Sequence, residues 1–216
     1  MPNPFIIMSA PNGARRQKTD HPAIPITPSE MALCAEQIID GGASILHLHV
    51  RDDQGAHSLD VDRYRASIKA IKDAVGANII IQSTTEAVGI YNREQQMDMV
   101  RTLIPEAVSL ALRELCPSDN EMVEFSEFLS WVKSENIFPQ FILYNEDDFN
   151  RFERYQKAGL FQSDNPFVLL VFGSYQDNSQ GAKLTAKKLW DTARSAAIPW
   201  AACGFADNER ECVTRA

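Results

Sequence analysis

The feature that most limits the fold of this chain is a strict alternation. Short apolar runs with strand character are each followed by a stretch with helical spacing, seven times over. The expected strands are Phe5 to Met8, Ser44 to Val50, Asn78 to Gln82, Ala107 to Leu112, Ile137 to Leu143, Pro166 to Phe172 and Ile198 to Cys203. Several of these runs are apolar without a polar alternate, as parallel strands covered on both faces are. Helix signals stand between them. Thr27-Pro28-Ser29-Glu30 reads as a capping box with proline in the first turn, and Gly41-Gly42 stops that helix at about Asp40. Asp60 caps a helix with apolar residues at Tyr64, Ile68, Ile71 and Val75, and Asn92 caps one running through Leu103. Ser118 to Ser134 is expected to be helical, burying Val123, Phe125, Phe128, Leu129 and Val132. Further helices are expected over Asp147 to Ala158, ended by Gly159, over Thr185 to Ala196, and from Asn208 to Ala216.

Strict βα order leaves two architectures, an open doubly wound sheet or a closed (β/α)8 TIM barrel. No Gly-x-Gly-x-x-Gly follows a strand, so the dinucleotide-binding version of the open sheet lacks its mark. Polar residues gather where strands end: Ser9 and Asn12; His47, His49 and Arg51; Thr84, Thr85 and Glu86; Ser109 and Arg113; Tyr144 and Asn145. In a barrel these ends form one catalytic rim, and the barrel is the favoured reading. Seven units leave it one short, so the 216 residues are expected to be a single TIM-barrel domain, C-terminally incomplete, with the eighth βα unit missing.

The stretch Ser44-Ile-Leu-His-Leu-His-Val-Arg-Asp52 carries the strongest chemical signal. Residues two apart on a strand share a face, so Ile45, His47, His49 and Arg51 point one way. Two adjacent imidazoles suit a transition metal, most often zinc, although a metal needs at least one more ligand. Two unrelated histidines on a half-buried strand would give the same pattern.

A net charge of −8 disfavours nucleic-acid and anionic-membrane partners. No apolar run approaches the roughly 20 residues of a membrane span. The N-terminus lacks the basic start of a secretory signal, and Cys34, Cys116, Cys203 and Cys212 show no paired spacing. Reduced thiols and a cytoplasmic setting are expected.

Six stretches together resemble the β-keto acid cleavage enzymes. They are Ala10-Pro-Asn-Gly-Ala-Arg-Arg16, Asp20-His-Pro22, Pro25-Ile-Thr-Pro28, His47-Leu-His-Val-Arg-Asp52, Thr84-Thr-Glu-Ala-Val-Gly89 and Pro105-Glu-Ala-Val-Ser109. The resemblance implies a (β/α)8 barrel binding Zn2+, usually as a homotetramer. It implies condensation of a β-keto acid with acetyl-CoA to give acetoacetate and a new acyl-CoA. His47 and His49 match the zinc histidines. Thr84, with Thr85 beside it, and Ser109 match hydroxyl positions that contact substrate; strand-end caps and a core serine are the alternatives.

Glu86 stands where the aminohexanoate-cleaving member has glycine, so it is expected to point outward or to meet a cationic substrate tail. The first loop offers Asn12, Arg15 and Arg16 where that member places a glutamate for an amino group. Arg15 could then pair with a second carboxylate on a dicarboxylic keto acid; solvated charge or CoA-phosphate binding are the alternatives. The resemblance implies that the third ligand is a glutamate in a Gly-Phe-Glu-Asp/Asn-Asn-like motif on the eighth strand. Cys203-Gly-Phe-Ala-Asp-Asn208 looks like that motif but has Ala206 in its place, and Pro199-Trp200-Ala201 aligns with the seventh strand instead. Third ligand and base are expected beyond Ala216, so weak metal binding and little or no turnover are expected of this chain. The rival readings are another metal-dependent TIM-barrel lyase, aldolase or hydrolase, and a non-catalytic truncated paralogue.

Overall fold

The computed structural model describes residues 5–163, 165–173, 191, 198–205 and 209–215. They fall into two compact units, Met1–Ser109 with Asn136–Phe138, and Leu110–Glu135 with Pro139–Ala216. The expected helix from Thr185 to Ala196 lies outside the described residues apart from Asp191, as do Ala206, Asp207 and Asn208.

In the first unit, β1 (Met8–Ser9), β2 (Ile45–Leu48), β5 (Ile80–Thr84) and β6 (Ala107–Ala111, whose last two residues belong to the second unit) pair in parallel in that order. Helices α1 (Pro28–Asp40), α2 (Val61–Val75) and α3 (Arg93–Leu103) fill the crossovers. Every residue of β2 and β6 is buried, which accounts for their apolar runs.

The helix starts are local chemistry. The Glu30 backbone N–H donates to Thr27 Oγ1 while the Glu30 carboxylate accepts from the Thr27 N–H, a complete capping box. Asp60 Oδ1 accepts from Arg63 N, and Asn92 makes a second capping box with Gln95. Gly42, at φ 91, takes the backbone out of α1 where a side chain would be strained.

Phe5 and Ile6 are exposed and outside any strand, and only Met8–Ser9 pairs. The second strand is interrupted at His49, after which β3 (Val50–Arg51) turns away to pair antiparallel with β4 (His57–Ser58). The third strand runs two residues later than its β-branched run implies, because it pairs Ile45 with Ile80 and Leu48 with Ser83. Thr84 is thereby inside the strand rather than after it.

The second unit holds β7 (Phe138–Leu143, its first residue in the first unit), β8 (Phe167–Phe172) and β9 (Trp200–Gly204), parallel in chain order. Helices α4 (Leu112–Leu115), α5 (Met122–Ser134), α6 (Glu146–Lys157) and a helix over Glu209–Arg215 complete it. Leu112 opens α4 instead of ending the strand.

Phe125, Phe128, Leu129 and Val132 are buried on α5, but Val123 is 72% exposed. Val123 lies two residues before Phe125, about 200° around the helix, so it faces away from that stripe. Phe141, Phe149, Phe152 and Phe161 form an aromatic core, with rings of Phe152 and Phe161 stacked 4.7 Å apart. Each such ring removed from water contributes about 1.5–3 kcal/mol. Cys34, Cys116, Cys203 and Cys212 are free. Among the described residues no helix is long and apolar enough to cross a membrane.

Candidate metal and substrate site

The candidate site belongs entirely to the first unit, and parallel register assembles it. His47 pairs with Gln82, and Gln82 with Ala107, so His47 and Gln82 share a face. Two residues further along the same face lie His49, Thr84 and Ser109; Thr84 pairs with Ser109. Glu86 continues that spacing past the end of β5.

The His47 and His49 rings are 4.9 Å apart and set edge to face. His47 is 9% and His49 4% exposed. His47 Nδ1 lies 2.6 Å from Gln82 Oε1. An amide oxygen only accepts, so Nδ1 carries the proton and Nε2 keeps its lone pair. Burial lowers the His47 pKa, opposed by the Gln82 bond. His49 is lowered further, by burial first and then by His47, His57 and Arg51. Both rings are therefore neutral donors near pH 7, the form a metal requires. His49 Nδ1 is buried without a partner among the described residues, and Glu86 Oε2 lies 3.9 Å from it.

A third imidazole joins them. His57 packs edge to face on His49 with ring centres 5.2 Å apart, and its Nε2–H donates to Glu86 O at 2.9 Å. Its Nδ1 is then a bare acceptor, buried and unpartnered among the described residues. Burial takes its pKa down to about 4. His57 was not among the site residues expected from the sequence. The available signal was Asp52 and Gly55, which close a turn: Asp52 Oδ1 accepts from Gln54 N and Ala56 N, and the chain returns antiparallel.

Arg51 is 4% exposed and ties the first loop to this end of the strand. Its guanidinium donates to the carbonyls of Asn12, Gly13, Arg16 and Gly55 at 2.8–3.0 Å. Asn12 Nδ2 donates to His49 O, which leaves Asn12 Oδ1 buried and unpartnered among the described residues. Arg16 pairs with Asp20 at 3.1 Å. Arg15 is exposed, and its charge acts on Glu86 and His57.

Thr84, Thr85 and Ser109 are each 1% exposed. Thr84 Oγ1 accepts from Glu86 N and from Ser109 Oγ, while Thr85 Oγ1 donates to Ser109 O. Glu86 does not turn outward: its side chain is 30% exposed and faces His49. Burial raises its pKa, opposed by Arg15 and Arg51. The loop that follows is strained, with β-branched Val88 at φ 46. Arg113 is in the second unit, where it binds Asp148 and stacks on Tyr144.

The donor set fits zinc as far as two neutral nitrogens go. Among the described residues no group of three His, Cys, Asp or Glu side chains is gathered closely enough to hold an ion.

Comparison with solved structures shows the fold. The chain is similar to 3-dehydroquinate dehydratase from Geobacillus kaustophilus HTA426, with 12% identity and a TM-score of 0.55 over 82% of this chain and 69% of that one. It is also similar to D-glucarate dehydratase from Agrobacterium tumefaciens, with 18% identity and a TM-score of 0.53 over 88% of this chain and 45% of that one. These likenesses fit a parallel α/β fold of the TIM-barrel type.

Sequence relatives reach further. The chain is 31% identical to a 3-keto-5-aminohexanoate cleavage enzyme of Fusobacterium nucleatum, over 77% of this chain and 62% of that protein. It is 34% identical to the enzyme of that name in Acetoanaerobium sticklandii, over 65% and 48%. It is 37% identical to a 3-oxoadipate:acetyl-CoA acetyltransferase of Cupriavidus necator, over 51% and 38%. The matches thus span less than two thirds of these relatives. The beta-keto acid cleavage enzyme family model matches residues 4–216, the His-x-His strand and the Thr84–Glu86 stretch included. This chain belongs to the beta-keto acid cleavage enzyme family.

Proposed function

We propose that the chain forms the metal-binding part of a Zn2+-dependent enzyme that condenses a β-keto acid with acetyl-CoA, giving acetoacetate and a new acyl-CoA. The observation that carries this reading is the pair of buried, neutral imidazoles, with His47 held in one tautomer by Gln82. His47, through Nε2, and His49 would hold the ion. Bound there, zinc supplies the Lewis acidity that stabilises enolate charge on a chelating β-keto acid.

The remaining residues bind and orient. Arg15 is the cation available to a carboxylate remote from the reacting carbon, so the proposed substrate is a keto acid with a second carboxylate. The acetyltransferase relative, named for 3-oxoadipate, accords with this. Asn12 Oδ1 offers an acceptor, and Thr84, Thr85 and Ser109 offer hydroxyls at the strand ends. The third ligand and the group that takes the substrate proton are not assigned among the described residues. A closed (β/α)8 barrel, a homotetramer and a cytoplasmic setting belong to the same proposal and rest on the family resemblance.

The test is zinc binding together with condensation. The chain is expected to bind zinc in a manner lost in His47→Ala and His49→Ala. Incubation of a full-length version with acetyl-CoA and a panel of β-keto acids is expected to yield acetoacetate from dicarboxylic members. Zinc binding indifferent to both histidines, or a thioester-independent cleavage of the keto acid, would overturn the reading.

A further inference from the structure

We infer that Glu86 is a positioning residue for His49: its carboxylate accepts the Nδ1–H of that ring and holds Nε2 toward the ion, as Gln82 does for His47. The inference rests on the reading of His47 and His49 as metal ligands.

Histidines that ligate metals commonly give their second N–H to an oxygen acceptor, which sets tautomer and ring orientation. His47 already has one, Gln82 Oε1 at 2.6 Å. His49 has none among the described residues, and its Nδ1 is buried. The oxygen facing it is Glu86 Oε2 at 3.9 Å. That gap is about one ångström longer than a hydrogen bond.

The base from which this side chain swings is fixed at both ends. Glu86 N donates to Thr84 Oγ1 at 3.1 Å, and Glu86 O accepts from His57 Nε2 at 2.9 Å. A turn of the side chain on that anchored backbone closes the distance. Binding of a cation at Nε2 makes the opposite N–H a stronger donor and favours closure. The two acceptors are related by the strand itself: Gln82 lies beside His47 in register, and Glu86 lies four residues on, beyond the level of His49.

The same assignment explains how a carboxylate is tolerated where an anionic substrate is expected. Its carboxylate lies 3.9 Å from His49 Nδ1, and the charges of Arg15 and Arg51 favour its ionised form. Direct ligation by Glu86 is the competing role, and among the described residues no three-group metal cluster includes it.

The experiment compares zinc affinity of the wild-type chain, Glu86→Ala and Glu86→Gln by competition with a chromophoric chelator. Nitrogen-15 spectra of the His49 ring in the zinc-loaded protein give a second readout. Glu86→Ala is expected to bind zinc about 10–100-fold more weakly, the usual effect of losing such a partner. Glu86→Gln is expected to stay close to wild type, because an amide oxygen accepts the same hydrogen. The His49 Nδ1–H resonance should persist in Glu86→Gln and shift in Glu86→Ala. Matching melting temperatures of the zinc-free proteins would show that the fold is intact.

Unchanged affinity in Glu86→Ala overturns the inference. So does a Glu86→Gln variant as weak as Glu86→Ala, which would mark Glu86 as a ligand or a bare charge. If the wild-type chain binds no zinc through His47 and His49, the reading beneath fails, and it is recognised by the indifference of the histidine variants.

Discussion

The ring of His47 gives its Nδ1 hydrogen to Gln82 across two adjacent parallel strands, 2.6 Å away and almost out of contact with water. That bond defines which nitrogen of His47 is left for chemistry. Replacing Gln82 by Leu removes the acceptor and strands a buried donor. Stability is expected to fall by about 1–3 kcal/mol. Zinc affinity is expected to fall about 10–100-fold, since the tautomer is no longer held. Calorimetric titration with zinc and a thermal melt of the zinc-free protein check the two effects separately.

Arg51 should matter through its shape as much as its charge. Its fork reaches four backbone carbonyls that no other single side chain could serve. Arg51→Met is expected to cost on the order of 3 kcal/mol, and Arg51→Lys to recover little of it. Urea unfolding measures the loss. Limited proteolysis should cut the loop around residues 12–16 in both variants sooner than in the wild type.

The aromatic core of the second unit offers a plain packing test. Phe152 is fully buried against Phe141, Phe149 and Phe161. Phe152→Ala is expected to destabilise by about 3–5 kcal/mol, and Phe152→Leu by much less. Denaturant midpoints decide. A loss below about 1 kcal/mol for the alanine variant would mean the neighbouring rings collapse into the space.

Acid should act on the start of α1. A hydrogen bond with Lys18, then the backbone N–H groups of Thr27 and Ile26, hold the Glu30 carboxyl at about 2 against an ordinary 4.5. The folded form releases this proton more readily than the unfolded chain, so the contribution is complete above pH 4.5 and disappears as the pH falls toward about 2. Stability measured against pH should decline through that window. In Glu30→Gln the decline should be shallower by this group's share.

Much of the architecture was readable in the chain. Thr27, Asp60 and Asn92 stand as caps where their residue types indicate, because a cap closes its hydrogen bonds within three or four residues. The adjacency of His47 and His49 follows from the two-residue period of a strand and needs no partner. The buried stripe of α5 was equally local, and Val123 falls outside it because it stands about 200° around the helix from Phe125.

What the sequence by itself determined is the alternating βα grammar, the positions of the helix caps and the pair of imidazoles on one face. The tertiary structure alone decided which side chains surround that pair. The two-residue offset of β5 is set by pairing with its neighbours, and it brings Gln82 to His47 and Ser109 to Thr84. The turn at Asp52 and Gly55 brings His57 back over His49, and the loop after β5 carries Glu86 to the same ring. The physical reason is range. Caps and periodicity are satisfied by hydrogen bonds among near neighbours in the chain, whereas strand register, and which groups the side chain delivered by a local turn meets, are chosen by the joint burial of residues some 30 positions apart.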